Sequence, residues 1–173
     1  MLDYQRLSEE YKPAEIKLLL VGEAPPDGGS RFFYNTPEKQ FDFLFRAVYK
    51  AIDEEEEETY ERQGFPANMK EGILYQLQYK GIYVIDLCPI PLTHLPAGVS
   101  SISYSEDFIQ RLKDLPLTAD SQIVIFKAGS IIQPLLERNG YKSEILSLSR
   151  DTGGRGLFIT RFRELYNNLK KRK

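Results

Sequence analysis

Four short apolar segments, separated by helical patterns, constrain the fold of this chain more than any other feature. They are rich in β-branched and aromatic residues and lack a clean alternation with polar ones. They span residues 16–21, 82–87, 123–126 and 144–148. Strands of this kind are typical of a parallel sheet, because helices cover both of its faces. We therefore predict an α/β fold with three layers (α/β/α), in which a central four-stranded parallel sheet lies between helices.

Helical patterns fill the intervals between the predicted strands. Thr36 followed by Pro37 predicts the start of the first long helix. Asn68 and Glu71 have the spacing of a capping box at the start of another helix. A final helix is indicated by apolar residues on one stripe, namely Leu157, Phe162, Leu165, Tyr166 and Leu169.

Length and composition limit the classes of protein to consider. The 173 residues fit a single domain, 1–173, and the net charge of −2 means that any contact with nucleic acid depends on local clustering of basic residues. Cys88 is the only cysteine, which excludes an intrachain disulfide and a cysteine-held metal or iron-sulfur cluster. No segment approaches the roughly 18–20 apolar residues of a membrane span, and the polar start is unlike a signal peptide. We expect a cytoplasmic protein without a membrane partner; its oligomeric state stays open.

Ligands of open parallel sheets bind beyond the carboxyl ends of the strands. This rule directs attention to four loops, at residues 22–35, 88–103, 128–130 and 149–155. In the first loop, Gly22 ends a buried strand where the backbone must pass close to another group. Glu23 and Asp27 are carboxylates on a proline-stiffened loop, a placement that suits a water-activating base.

Three consecutive aromatic residues, Phe32, Phe33 and Tyr34, follow in the same loop. Their rings could stack on a planar base, and the alternative is that two of them fill the core beneath the loop. Both interpretations stay open from the sequence alone.

The fourth loop combines arginines and glycines: Arg150, Gly153, Gly154 and Arg155. This combination before a helix predicts a phosphate or DNA cradle, the alternative being a surface charge cluster without function.

Two polar residues near the second strand are further candidates. Asp86 lies in an apolar run, so its carboxyl must be hydrogen-bonded, protonated or turned toward a pocket. His94, the only histidine, is either an acid–base group or an inert loop residue.

Three segments resemble motifs of the uracil-DNA glycosylase superfamily. Residues 19–25 (LLVGEAP) resemble its first motif, residues 81–91 its second strand and residues 125–130 its third strand. The resemblance implies a glycosylase-like fold and a site in which Glu23, or Asp27 as a second candidate, positions water. Gly22, Phe33, Tyr34 and Asp86 would surround a base flipped out of the duplex.

The sequence also departs from that family. Asp86 stands where the family has a base-reading Asn, the final His-Pro-Ser-type motif is absent, and one cysteine cannot hold an iron-sulfur cluster. Arg150 or Arg155 would have to replace the missing histidine. We expect a divergent, cofactor-free DNA glycosylase-like protein that binds a nucleobase and hydrolyses the N-glycosidic bond of a damaged or mismatched base. The alternatives are a non-catalytic nucleotide or nucleic-acid binding module and a hydrolase for another small molecule.

Overall fold

A parallel sheet forms the centre of the molecule. The computed structural model describes residues 2–37, 42–149 and 152–171. In this part of the chain the sheet contains β1 (Ile16–Gly22), β2 (Ile82–Asp86), β3 (Leu117–Ile125) and β4 (Glu144–Ile145), in the order β2-β1-β3-β4 and all parallel. β1 is central, and all its residues except Lys17 are buried. The predicted α/β class and the parallel sheet are thus confirmed.

Two strands differ in extent from the prediction. β3 begins at Leu117, where exposed residues continue the strand beyond its apolar part, and its pairing with β1 shifts register between Ile16 and Leu18. β4 is regular over only two residues, although Leu146 and Leu148 still donate backbone hydrogen bonds to Ile125 and Phe126 at 2.9 and 3.0 Å. An apolar pattern reports burial, so it does not detect the exposed part of a strand or a loss of regular pairing.

Seven helices connect and cover the described strands. They are α1 (Tyr4–Glu10), α2 (Phe43–Ile52), α3 (Glu54–Arg62), α4 (Ala67–Tyr79), α5 (Ser105–Lys113), α6 (Gly129–Arg138) and α7 (Thr152–Lys171). α4 packs on β2, α6 packs on β3 and β4, and α2 packs on α3 and α7. The arrangement is consistent with the predicted three layers. Among the described residues, no helix has the length and apolar character that a membrane crossing requires.

The predicted starts of two helices are wrong. α2 does not begin at Thr36 and Pro37; its N-cap is Asp42, whose carboxylate accepts a hydrogen bond from the Phe45 amide at 3.1 Å. α4 follows Pro66 without a side-chain cap, so Asn68 and Glu71 form no capping box there. Several residues near each start could cap a helix, and tertiary contacts decide which one does.

The apolar stripe of α7 is also shifted from the prediction. Phe158, Phe162 and Tyr166 are buried, whereas Leu157 is 71% exposed. The helix starts at Thr152, so Gly153 and Gly154 lie in its first turn and not in the preceding loop.

A buried ion pair joins three elements beside the sheet. The Lys70 ammonium on α4 lies 3.0 Å from the Asp42 carboxylate, and both side chains are 3% exposed. Lys70 Nζ also donates to the carbonyl of Phe32 at 3.3 Å. The pair therefore links the loop after β1 to the start of α2 and to α4.

We predict that Lys70→Met destabilises the fold by about 3–5 kcal/mol, because it leaves the Asp42 carboxylate buried without its partner. The double variant Asp42→Asn/Lys70→Met removes the unpaired charge and keeps a side-chain oxygen for the cap. Urea unfolding should show that the double variant recovers more than half of the free energy of unfolding that Lys70→Met loses. Equal stability of the single and double variants would contradict this role of the pair.

Candidate functional site

A cavity lies at the carboxyl edge of the sheet. The chain leaves β1 toward β2 on one side and later returns to β3 on the other, so the segments after β1 and β3 diverge at this edge. Such a switch point is where open α/β sheets bind ligands. We call the cavity of about 610 Å³ found there the switch-point cavity. Its volume is within the range of about 300–1,000 Å³ that small-molecule sites occupy.

Residues that follow all four strands line the switch-point cavity. They include Asp27, Phe32 and Phe33 after β1, residues 91–93 after β2, Phe126 and Lys127 after β3, and Leu148 after β4. Asp42 and Phe43 at the start of α2, and Asp86 at the end of β2, complete the polar and aromatic part of the lining. Segments far apart in the sequence thus meet at one site.

Gly22 and Asp86 are opposite each other in the pairing of β1 with β2. A Cβ atom on Gly22 would lie only 2.4 Å from Asp86 Oδ1 and 2.4 Å from Phe126 Cζ. The Asp86 carboxyl and the Phe126 ring therefore occupy the space that a side chain at residue 22 would need. This contact is the physical reason for glycine at the end of β1.

Burial raises the pKa of the Asp86 carboxyl to about 7, well above its ordinary value of 3.8. The positive charges of Lys127 and Arg111 oppose this effect, and the negative charge of Glu23 adds to it. Asp86 also lines the cavity. The structure therefore favours two of the states predicted for the Asp86 carboxyl together: it faces a pocket, and it is protonated in part at neutral pH.

Arg111 on α5 fixes the backbone that carries Asp86. Its guanidinium donates to the carbonyl of Asp86 at 3.0 Å and to the carbonyl of Leu87 at 2.7 Å. Asp107, one helical turn earlier, accepts a third hydrogen bond from Arg111 at 2.7 Å. Sequence analysis missed Arg111, since a charged residue on an amphipathic helix gives no sign of a distant backbone partner.

The two candidate catalytic carboxylates have different environments. Glu23 is absent from the cavity lining, and its carboxylate accepts a hydrogen bond at 2.9 Å from the hydroxyl of the buried Ser101. Asp27 lies in the lining, and its Oδ1 is 3.2 Å from His94 Nε2. Asp27 and His94 thus connect the loop after β1 to the loop after β2.

The aromatic residues of the first loop divide into two groups. Phe32 and Phe33 line the cavity but are only 6% and 3% exposed, so each contributes to a cavity wall and to the core. Tyr34 does not line the cavity; its buried hydroxyl accepts from the Val84 amide at 2.6 Å and donates to the Val84 carbonyl at 3.1 Å. Tyr34 is therefore a core residue that attaches the loop to β2.

The predicted arginine and glycine cradle is only partly described. Arg150 lies outside the described residues, and Gly153, Gly154 and Arg155 belong to the first turn of α7. The Arg155 guanidinium lies 5.0 Å from the centre of the Phe43 ring, which lines the cavity. Burial, followed by the nearby charge of Arg46, lowers the pKa of Arg155. Arg155 thus adjoins the cavity wall and is not among the residues that line it.

Lys127 is a cationic residue of the site that sequence analysis did not single out. It is the second residue after β3, is exposed and lines the cavity. The next residue, Ala128, has a left-handed backbone with φ 56° and ψ 38°, which is uncommon for a residue with a side chain. The position of Lys127 just after a buried strand was the signal that could have identified it, because polar residues at the ends of parallel strands lie at the edge where the cavity forms.

Comparisons with models of known protein families, with curated proteins and with solved structures found no match to this chain. The resemblance to the uracil-DNA glycosylase superfamily therefore stays a prediction that rests on the sequence motifs. Among the described residues, no three His, Cys, Asp or Glu side chains are grouped so that they could hold a metal ion.

The raised pKa of Asp86 predicts a pH-dependent stability. The folded protein retains a proton that the unfolded chain releases at lower pH, so the free energy of unfolding should fall as pH rises from about 4 to 7. Asp86→Asn removes this proton equilibrium. It should increase stability at about pH 8 by roughly 1–3 kcal/mol and change it little at about pH 4. Urea unfolding across this range tests the prediction, and parallel curves for both proteins would contradict it.

Proposed function

We propose that the switch-point cavity binds a nucleobase and that the chain is a divergent DNA glycosylase-like protein, which hydrolyses the N-glycosidic bond of a damaged or mismatched base. The observation that carries the proposal is the cavity itself. Residues after four strands line it, and they combine aromatic walls with a small number of charged groups.

The composition of the lining suits a planar, polar-edged ligand. Phe32, Phe33 and Phe43 supply apolar walls, while Asp86, Asp27 and Lys127 supply polar groups at separate positions. A nucleobase has two apolar faces and an edge of hydrogen-bond donors and acceptors, so it can use both kinds of contact. The volume of about 610 Å³ leaves space for the attached sugar.

Asp86 is the residue best placed to recognise the edge of a base. An ionised carboxylate only accepts hydrogen bonds, but a protonated carboxyl offers one donor and one acceptor, as an Asn side chain does. With a pKa of about 7, Asp86 presents both forms near neutral pH. The substitution of Asp for the family's Asn is therefore compatible with recognition of uracil, most of all at lower pH.

Asp27 is the better candidate for the water-activating base, since it lines the cavity and Glu23 does not. In the proposed step, Asp27 accepts a proton from a water molecule whose oxygen bonds to C1′ of the sugar. The C1′–N bond breaks, and its electron pair leaves with the base. The Lys127 ammonium can stabilise the departing anion, a role that the family resemblance gives to a histidine missing from this sequence. Glu23, held by Ser101, would position the loop.

Binding without catalysis is the second candidate function. Ser101 engages the carboxylate of Glu23, and His94 lies beside that of Asp27. Both candidate bases thus have partners within the protein. A site whose carboxylates only hold the loops together would bind a nucleotide or nucleic acid and leave the glycosidic bond intact.

The proposal predicts abasic-site formation in duplexes that contain uracil, hypoxanthine, xanthine or mismatched thymine. Asp27→Asn should reduce the single-turnover rate on the preferred base by at least about 100-fold, because it removes the general base. Glu23→Gln should have a smaller effect. Asp120→Asn changes an exposed carboxylate near the opposite end of the sheet and should retain the full rate.

Two results would contradict the catalytic part of this proposal. One is the absence of cleavage for every base, and the other is an equal rate for Asp27→Asn and the wild type. Retained affinity for these duplexes without cleavage would favour the second candidate function.

A further inference from the structure

A second concave surface lies at the amino end of the sheet, away from the switch-point cavity. We call it the amino-edge groove; its volume is about 400 Å³. Its lining comes from the start of β1, the end of α4 and the end of α7: Lys17, Leu18, Tyr79, Lys80, Tyr166, Leu169 and Lys170. At about 3.3 Å per residue along β1, the groove lies roughly 15 Å from Gly22.

The charge of the amino-edge groove differs from that of the whole chain. The chain has a net charge of −2, yet the described residues that line the groove include three lysines and no Asp or Glu. The Lys170 ammonium lies 4.5 Å from the centre of the Tyr166 ring. This local excess of positive charge favours an anionic ligand.

Tyr79 is the most unusual residue of the groove, because its side chain is 91% exposed. Lys80 and Lys170 lie at the carboxyl ends of helices, where the helix dipole favours a cation, so their presence has a local explanation. The dipole does not explain a large aromatic ring in water beside these lysines. A ligand with a flat apolar face would account for both the ring and the charges.

We propose that the amino-edge groove binds a single-stranded segment of nucleic acid. Lys80 and Lys170 contact the phosphates, and Tyr79 stacks on an unpaired base, a combination that is common in proteins that bind single strands without sequence preference. A duplex is a less suitable ligand, because its bases are stacked on each other and are not free to meet Tyr79. The groove is separate from the switch-point cavity, so the proposal does not depend on the proposed glycosylase activity.

Fluorescence anisotropy with a labelled oligothymidylate of about 12 nucleotides tests the proposal. Tyr79→Ala should weaken binding roughly tenfold, whereas Tyr79→Phe keeps the stacking face and should bind as the wild type does. The double variant Lys80→Glu/Lys170→Glu should weaken binding and reduce the slope of log affinity against log salt by at least about 1.4.

Matched controls separate the groove from general charge effects. Lys113→Glu/Lys142→Glu makes the same charge change at two exposed lysines outside the groove and should affect binding much less. Lys127→Glu places the change in the switch-point cavity and shows whether that cavity, instead of the groove, holds the oligonucleotide. All substituted side chains are at or near the surface, and thermal unfolding verifies that each variant is folded.

Three outcomes would overturn the proposal. They are an absence of oligonucleotide binding, equal affinity of Tyr79→Ala and the wild type, and loss of binding in Lys127→Glu with Tyr79→Ala unaffected. Vesicles that contain anionic lipid test a membrane surface as the alternative ligand. Binding to the vesicles that Tyr79→Ala weakens, together with no binding to the oligonucleotide, would identify a membrane surface as the ligand instead.

Discussion

The contact between the Asp86 carboxyl, Gly22 and Phe126 is the constraint on which the candidate site depends. The pairing of β1 with β2 places Gly22 opposite Asp86, and the absent side chain of Gly22 leaves room for a carboxyl at a half-buried position. Arg111 holds the backbone at the end of β2, so the carboxyl stays at the edge of the cavity. A group that is costly to ionise there thereby lines the cavity instead of pointing into the core.

A second part of the cavity lining is supported by a buried ion pair. Lys70 and Asp42 form a buried ion pair that also holds the carbonyl of Phe32, next to the Phe33 ring of the lining. Tyr34 adds a hydrogen-bonded attachment of the same loop to β2. The loop after β1 is thus held by contacts on both sides, as expected for a preformed binding site.

Sequence analysis predicted the fold class and the position of the cavity because both depend on burial and topology, which an apolar pattern reports well. It was less successful where one residue's partner decided the outcome. Asp42 caps α2 in place of Thr36, and the buried ion pair of Arg46 with Glu57 of α3, at 2.5 Å, was not predicted. The sequence left open whether Tyr34 stacks on a ligand or fills the core, and its hydrogen bonds to Val84 favour the core position. The partners of Glu57 and Tyr34 lie 11 and 50 residues away in the sequence, so spacing alone could not identify them. For α2, several nearby residues could have served as the cap.

The central claim is that the switch-point cavity recognises a nucleobase through Asp86, and calorimetric titration of free uracil at several pH values tests it most directly. The affinity of the wild type should increase as pH falls through about 7, because the protonated carboxyl supplies the donor that uracil requires. Asp86→Asn should bind uracil with an affinity that is independent of pH in this range. No binding by either protein, or the same pH dependence in both, would contradict the claim.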